Sequence, residues 1–179
     1  MKLIKLCKKF IKEKLKNQPN DIKHARLTAK WIKKLKPDAD EALLVAGLLH
    51  DIERAFYGDW KKGSIDPKKI QTHHDLSALE TEKFLKDIGA PGNFIRKVES
   101  LVANHTWGGD EEQNILCDAD CLASLQDKAP RWFRESKTTE QKEKTKKRIL
   151  RLYERIKTTQ GKHFADKFCR KILNLTLKS

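Results

Sequence analysis

The sequence has few of the residues that break or staple a chain. Five prolines and eight glycines in 179 positions leave long uninterrupted segments. None of these alternates strictly between apolar and polar residues, so nothing argues for a sheet, and helices are expected. Cysteine is equally sparse: Cys7, Cys117, Cys121 and Cys169 follow no zinc-finger spacing. Cys117 and Cys121 stand four apart in a helical pattern, where both read as buried small hydrophobes. Reduced thiols and a cytoplasmic protein are the expectation. No run of roughly 18 apolar residues exists to span a bilayer. The lysine-interrupted stretch from Met1 to Leu15 also lacks the apolar core of roughly 7–15 residues that a signal peptide requires. It shows helical periodicity instead, at Leu3, Leu6 or Cys7, Phe10 and Ile11 or Lys14-Leu15, and is expected to pack on the core with a solvated lysine face, although a basic amphipathic helix can also dock on anionic lipid.

What the chain has in excess is positive charge, a formal +14. That implies attraction to anions, whether nucleotides, nucleic acid or an acidic membrane surface, without choosing among them. The length suits one domain with a helical core and a buried site.

One apolar run, Leu43 to Leu49, ends on adjacent imidazole and carboxylate groups, His50-Asp51. An ionised carboxylate at the inner end of a buried helix costs several kcal/mol unless a cation or metal compensates it. Further ligand-type residues flank the pair: His24 before it, and His73, His74, His105, Asp118 and Asp120 after it. Asn20 or Asp21 is expected to cap a helix running to Leu35, whose inward stripe holds His24, Leu27 or Thr28, Trp31 and Leu35. Asp38 or Asp40 caps the central helix, and Arg54, one turn beyond the pair, is placed to hold Asp51 or an anionic ligand, or to pair with Glu53 or another surface acid. Gly58 to Pro67 reads as a loop rimming the site, with a helix resuming by Ile70. There His73 is in register with Leu76, Ser77 and Leu79-Glu80, and His74, about 100° around the cylinder, should point elsewhere. A helix from about Phe94 to His105 and another opened by Asp110 to Gln113 follow. The latter carries Asp118 and Asp120 on opposite sides, so only one of them can face a shared pocket. Beyond Pro130 a basic group (Lys142, Lys144, Lys146, Lys147, Arg148) precedes renewed apolar periodicity, and His163 is expected to play a surface or packing role.

Taken together, His24, His50-Asp51 and Ala119-Asp120-Cys121-Leu122 resemble the HD-domain superfamily of metal-dependent phosphohydrolases, over about Ile22 to Leu125. The resemblance implies an all-α, single-domain HD-type bundle over 1–179, with a core of about 20–128 and a helical extension over 129–179. It selects Asp120 over Asp118 as the ligand, because the metal-binding Asp follows Ala in the family's late motif. It favours His73, four residues before the small Ser77, over His74. Cys121 stands where Arg is frequent in relatives. On this reading His24, His50, Asp51 and Asp120 bind a divalent ion (Mn, Fe, Co, Ni, Zn or Mg). His73 and His105 either complete a second site that shares Asp51, giving two ions, or are core histidines with buried hydrogen-bond partners, leaving one; Arg54 contacts phosphate and loop lysines between Asp59 and Lys69 close over it. Such a centre activates water for attack on phosphorus. The implied substrate is a small phosphorylated metabolite or nucleotide. Two other functions fit parts of the sequence: a noncatalytic basic module binding nucleic acid or an anionic surface, and a di-iron oxygenase of the same fold.

Overall fold

The computed structural model describes residues 2–59 and 64–173, and every regular element among them is helical. The chain runs through α1 (Lys2–Lys14), α2 (Pro19–Leu35), α3 (Glu41–Leu49), α4 (Arg54–Tyr57), α5 (Pro67–Asp87), α6 (Gly92–Ala103) and α7 (Glu111–Ala123). A π-helical turn, Ser124–Lys128, leads into α8 (Ala129–Glu135), α9 (Thr139–Arg155) and α10 (Thr159–Leu173). No described helix is long and apolar enough to cross a membrane, and all four cysteines are buried free thiols.

The apolar run becomes α3, enclosed by α1, α2, α6 and α7. Asp40 starts it, accepting the Leu43 amide at 2.9 Å. Burial on nearly all sides supplies the driving force: a fully buried leucine such as Leu43 or Leu49 is worth about 2–5 kcal/mol against alanine. Gly47 sets the spacing to α2, since a Cβ there would stand 2.4 Å from Ile32 Cδ1. A side chain at that position would have to displace the Ile32 methyl, so the glycine suits the close packing of α2 on α3 that brings His24 toward His50.

The structure corrects several local expectations. The central helix stops at Leu49, and His50 to Glu53 form a tighter turn with Ile52 N bonded to Leu49 O at 2.9 Å and Ala55 N to Ile52 O at 3.0 Å. Such i→i−3 bonding re-aims side chains relative to a straight α-helix. Neither Asn20 nor Asp21 caps α2: Gln18 holds the N-cap without a side-chain bond, and Pro19 removes one of the donors that would need a partner. Asp21 binds Arg54 instead. The helix expected to reach His105 ends at Ala103 and leaves that histidine in the following turn. Of Leu79-Glu80, it is Glu80 that takes the buried place in register with His73, and Leu79 is exposed. His163 is exposed beside Phe164, as expected.

Asp118 and Asp120 divide their roles across α7. Asp118 is fully buried on the side facing α10, where it accepts the Lys157 amide at 2.6 Å, the Thr158 amide at 3.0 Å and the Thr158 hydroxyl at 2.6 Å. It thereby fixes the start of the last helix. Gly161 permits the approach, because a Cβ there would sit 2.4 Å from Asp118 Oδ2. Asp118→Ala leaves two amides and a hydroxyl without their acceptor and should destabilise the fold by about 2–3 kcal/mol. Thermal melts should show a Tm lower by about 4–12 °C; a shift below a degree would remove this role.

Candidate metal centre

Five helical segments deliver side chains to one buried point. His24 comes from α2, His50 and Asp51 from the turn after α3, His73 from α5, His105 from the turn after α6, and Asp120 from α7. His24 Nε2 lies 3.0 Å from Asp120 Oδ1 and 3.3 Å from His50 Nε2. Asp51 Oδ2 stands 3.8 Å from His24 Nε2 and 3.7 Å from His50 Nε2. On the other side, His73 Nε2 is 3.1 Å from Asp51 Oδ1 and 3.2 Å from His105 Nε2, which is itself 3.9 Å from Asp51 Oδ1. Each Asp51 oxygen therefore faces its own pair of imidazoles.

Groups outside the centre fix which nitrogens point inward. His50 Nδ1 donates to the Gly47 carbonyl at 3.0 Å and His105 Nδ1 to the Val102 carbonyl at 2.7 Å. His73 Nδ1 donates to Glu53 Oε1 at 2.5 Å, and the Ser77 hydroxyl holds the other Glu53 oxygen at 2.9 Å. A carbonyl or carboxylate can only accept, so in all three rings Nδ1 carries the hydrogen and Nε2 keeps its lone pair for the centre. Two neutral imidazoles would then oppose lone pairs at 3.2 Å between His73 and His105, an arrangement that requires a proton or a metal ion between them. Ligands roughly 2.0–2.2 Å from one ion lie about 3–3.6 Å from each other, close to the separations within both groups. The donor set fits divalent metal: neutral imidazoles, carboxylates, and carboxylate or carbonyl partners behind the rings. His73, His74 and His105 form one such group, His24, His50 and Asp120 another, and Asp51, Glu53 and His73 a third.

Electrostatics favour the coordinating form of His24, His105 and both carboxylates, while a proton competes for His50 and His73. Burial pushes His24 down to about 4, aided by Lys128. Burial, with His74 and His73 nearby, holds His105 well below the usual imidazole range. Burial also opposes charge on Asp51 and Asp120, yet both sit well below the usual carboxylate range. Arg54 and His50 lower Asp51, and His24, His50 and Arg155 lower Asp120. For His50 and His73 burial is outweighed by the facing carboxylates, Asp51 with Asp120 and Asp51 with Glu53, so their pKa rises.

Two arginines brace the carboxylates. Arg54 spans Asp51 Oδ2 at 2.8 Å and Asp21 Oδ1 at 2.9 Å, and Arg155 of α9 reaches Asp120 Oδ2 at 3.1 Å. Beside the centre opens a cavity of about 200 Å³, bounded by Asp51, Asp120, His105 and Thr106 and by five cations: Arg54, Lys128, Arg148, Arg151 and Arg155. Trp132 forms part of its wall, with the Arg148 guanidinium 3.6 Å above the ring.

All seven sequence-assigned residues, His24, His50, Asp51, Arg54, His73, His105 and Asp120, meet at or beside this point. Two expectations around them change. His74 does not point away: it is fully buried, with its ring 4.3 Å from that of His105, against 5.1 Å between His73 and His105. Adjacent helical residues can share a partner that wedges between them, and the His105 ring does so. Glu53 is buried instead of lying at the surface; it binds His73, and its ion pair with Arg54 is the looser contact, with Nε 3.9 Å away. Of the loop lysines, Lys61 and Lys62 lie outside the described residues, and Lys68 and Lys69 are exposed at the start of α5, with Ser64, Ile65 and Ile70 on the cavity wall. Sequence reasoning missed Glu53, Lys128, Trp132, Arg151 and Arg155. Glu53 was legible as an acid two residues past Asp51; the others lie some 75–105 residues from the motif, and their periodicity shows only packing.

A family model described as a domain of unknown function (DUF4202) matches residues 8–171, and the chain belongs to that family. No curated protein and no solved structure matches it.

Loading with Mn or Co should reach two ions per chain. His73→Ala and His105→Ala should each lower this toward one, and Asp120→Ala should empty the other position, while Asp118→Ala leaves metal content intact. Glu53→Gln should weaken the second ion by about 10–100-fold. Because ion and proton compete for the raised His50 and His73 nitrogens, uptake should release protons and apparent affinity should fall as pH drops through those raised values. Calorimetry in buffers of different ionisation enthalpy measures both; one ion in wild type, unchanged by the His73 and His105 variants, would reduce those residues to packing.

Proposed function

We propose that this member of the DUF4202 family is a divalent-metal-dependent phosphohydrolase acting on a small phosphorylated metabolite or nucleotide, built on an HD-type centre. One observation carries the reading: Asp51 lies between two imidazole pairs, at the floor of a cavity lined by five cations. His24, His50, Asp120 and Asp51 Oδ2 would hold one ion, and His73, His105 and Asp51 Oδ1 a second. Bound there, divalent metal supplies an acidified water as nucleophile and withdraws charge from the phosphoryl oxygens.

The chain's own groups do the rest. Arg54 pairs with Asp51 Oδ2, the oxygen that also faces His24 and His50, and Arg155 with the outer oxygen of Asp120, so that both carboxylates are held ionised. Glu53 and the Gly47 and Val102 carbonyls lock three ring tautomers, so no imidazole reorients during turnover. The cations of the cavity draw a dianionic phosphoryl group toward the centre and oppose the charge that accumulates on its oxygens, in a setting less screened than open solvent. Arg54 thus serves Asp51 directly and phosphate through its place on the cavity wall.

Metal analysis of untagged protein, coupled to a phosphate-release screen over nucleotides and sugar phosphates with Mn or Co, tests the proposal. Turnover should appear for some phosphoester, and Asp51→Asn should lower it about 10³-fold, the rate equivalent of roughly 4 kcal/mol of charge stabilisation. Iron content with oxygen consumption, or salt-sensitive nucleic-acid binding without phosphate release, would replace this reading with an oxygenase or a binding module.

A further inference from the structure

The cavity holds more positive charge than one phosphoryl group requires. Of its five cations, Arg54 is matched by Asp51 and Asp21, and Arg155 by Asp120. Lys128, Arg148 and Arg151 form no ion pair among the described residues. Asp59 acts on Arg148 only through space, and Asp51, Asp120 and Asp21 act on Lys128 without touching it. All three cations belong to the C-terminal half: Lys128 ends the π-helical turn, and Arg148 and Arg151 stand on α9. The turn is informative, since π segments concentrate at functional positions, and this one brings both Ser124 and Lys128 to the cavity wall. Arg148 is held over Trp132, which keeps a planar donor in place without neutralising it. Burial pushes the Lys128 ammonium down in pKa, so an anion beside it would relieve a cost already present.

Resting on the phosphohydrolase reading, we propose that Lys128, Arg148 and Arg151 form a second phosphate subsite, and that the substrate is a compact bisphosphorylated molecule. One phosphoryl group meets the histidine–carboxylate centre, and the other engages the three unmatched cations. The cavity's modest size favours a short linker between the two groups over a nucleoside, for ligand pockets of drug-sized molecules are usually about 300–1,000 Å³.

The test compares 3-hydroxypropyl phosphate with propane-1,3-diyl bisphosphate on the Mn-loaded protein, by phosphate release and by titration calorimetry. Wild type should prefer the bisphosphate by about 10–100-fold in kcat/KM and in affinity, as expected for added charge-assisted hydrogen bonds. That preference should collapse toward unity in Lys128→Met. Arg151→Gln, at an exposed position, provides a variant whose folding is not in question, and should lower the preference several-fold. Equal affinity and equal turnover of the two esters in wild type would overturn the subsite while leaving the phosphohydrolase reading intact. So would a preference that neither variant changes. A bisphosphate preference in binding that is lost in both variants, with neither ester hydrolysed, would uphold the subsite and remove the hydrolase reading instead.

Discussion

The Asp51 carboxylate is the group on which the rest of this centre depends. Its two oxygens face separate histidine pairs, and one of them also accepts from Arg54. Buried charge of this kind is tolerated only when every lone pair is answered, and the answers come from four other parts of the chain. His24 and His50 converge where α2 packs closely on α3, a spacing that Gly47 suits. His73 is held by Glu53, two residues from Asp51 itself, so the turn after α3 supplies both a candidate ligand and the brace for its neighbour. Replacing the apolar partners of α3 would loosen the centre indirectly, by letting these segments drift.

The C-terminal helices contribute more than cover. Asp118 anchors the start of α10 from one side of α7, while Asp120, two residues on, faces the centre from the other. The same helix therefore joins the structural and chemical halves of the molecule. Arg155, at the end of α9, closes the arrangement by holding Asp120. Because α9 also carries Arg148 and Arg151, three of the cavity's five cations, Arg155 on Asp120 among them, come from a single element.

That arrangement also gives the overall positive charge a local meaning. Most lysines are dispersed over solvated helix faces, where they attract anions weakly and without direction. Lys128 and the three arginines of α9 and its neighbourhood differ because they converge on a concave wall beside carboxylates whose own charge is already answered. The positive field is thereby focused at one place, which the net charge alone could not indicate.

The sequence by itself determined the helical class, through unbroken apolar periodicity and scarce breakers. It also determined the residue types of the centre, since His50-Asp51 at the end of a buried run demanded compensation, His24, His73 and His105 stood on inward stripes, and only one of Asp118 and Asp120 could face a shared pocket. Local rules reached the Asp40 cap and the Asp110 helix start because those signals lie within one turn. Tertiary structure alone decided the rest. The end of α3 at Leu49 followed from where the partners of His50, Asp51 and Glu53 lie, and His74 turned inward because His105, from another helix, wedges against it. Glu53, Lys128 and Arg155 acquired their roles from neighbours distant in sequence: helical periodicity fixes the face a side chain takes, whereas its partner depends on how whole helices pack.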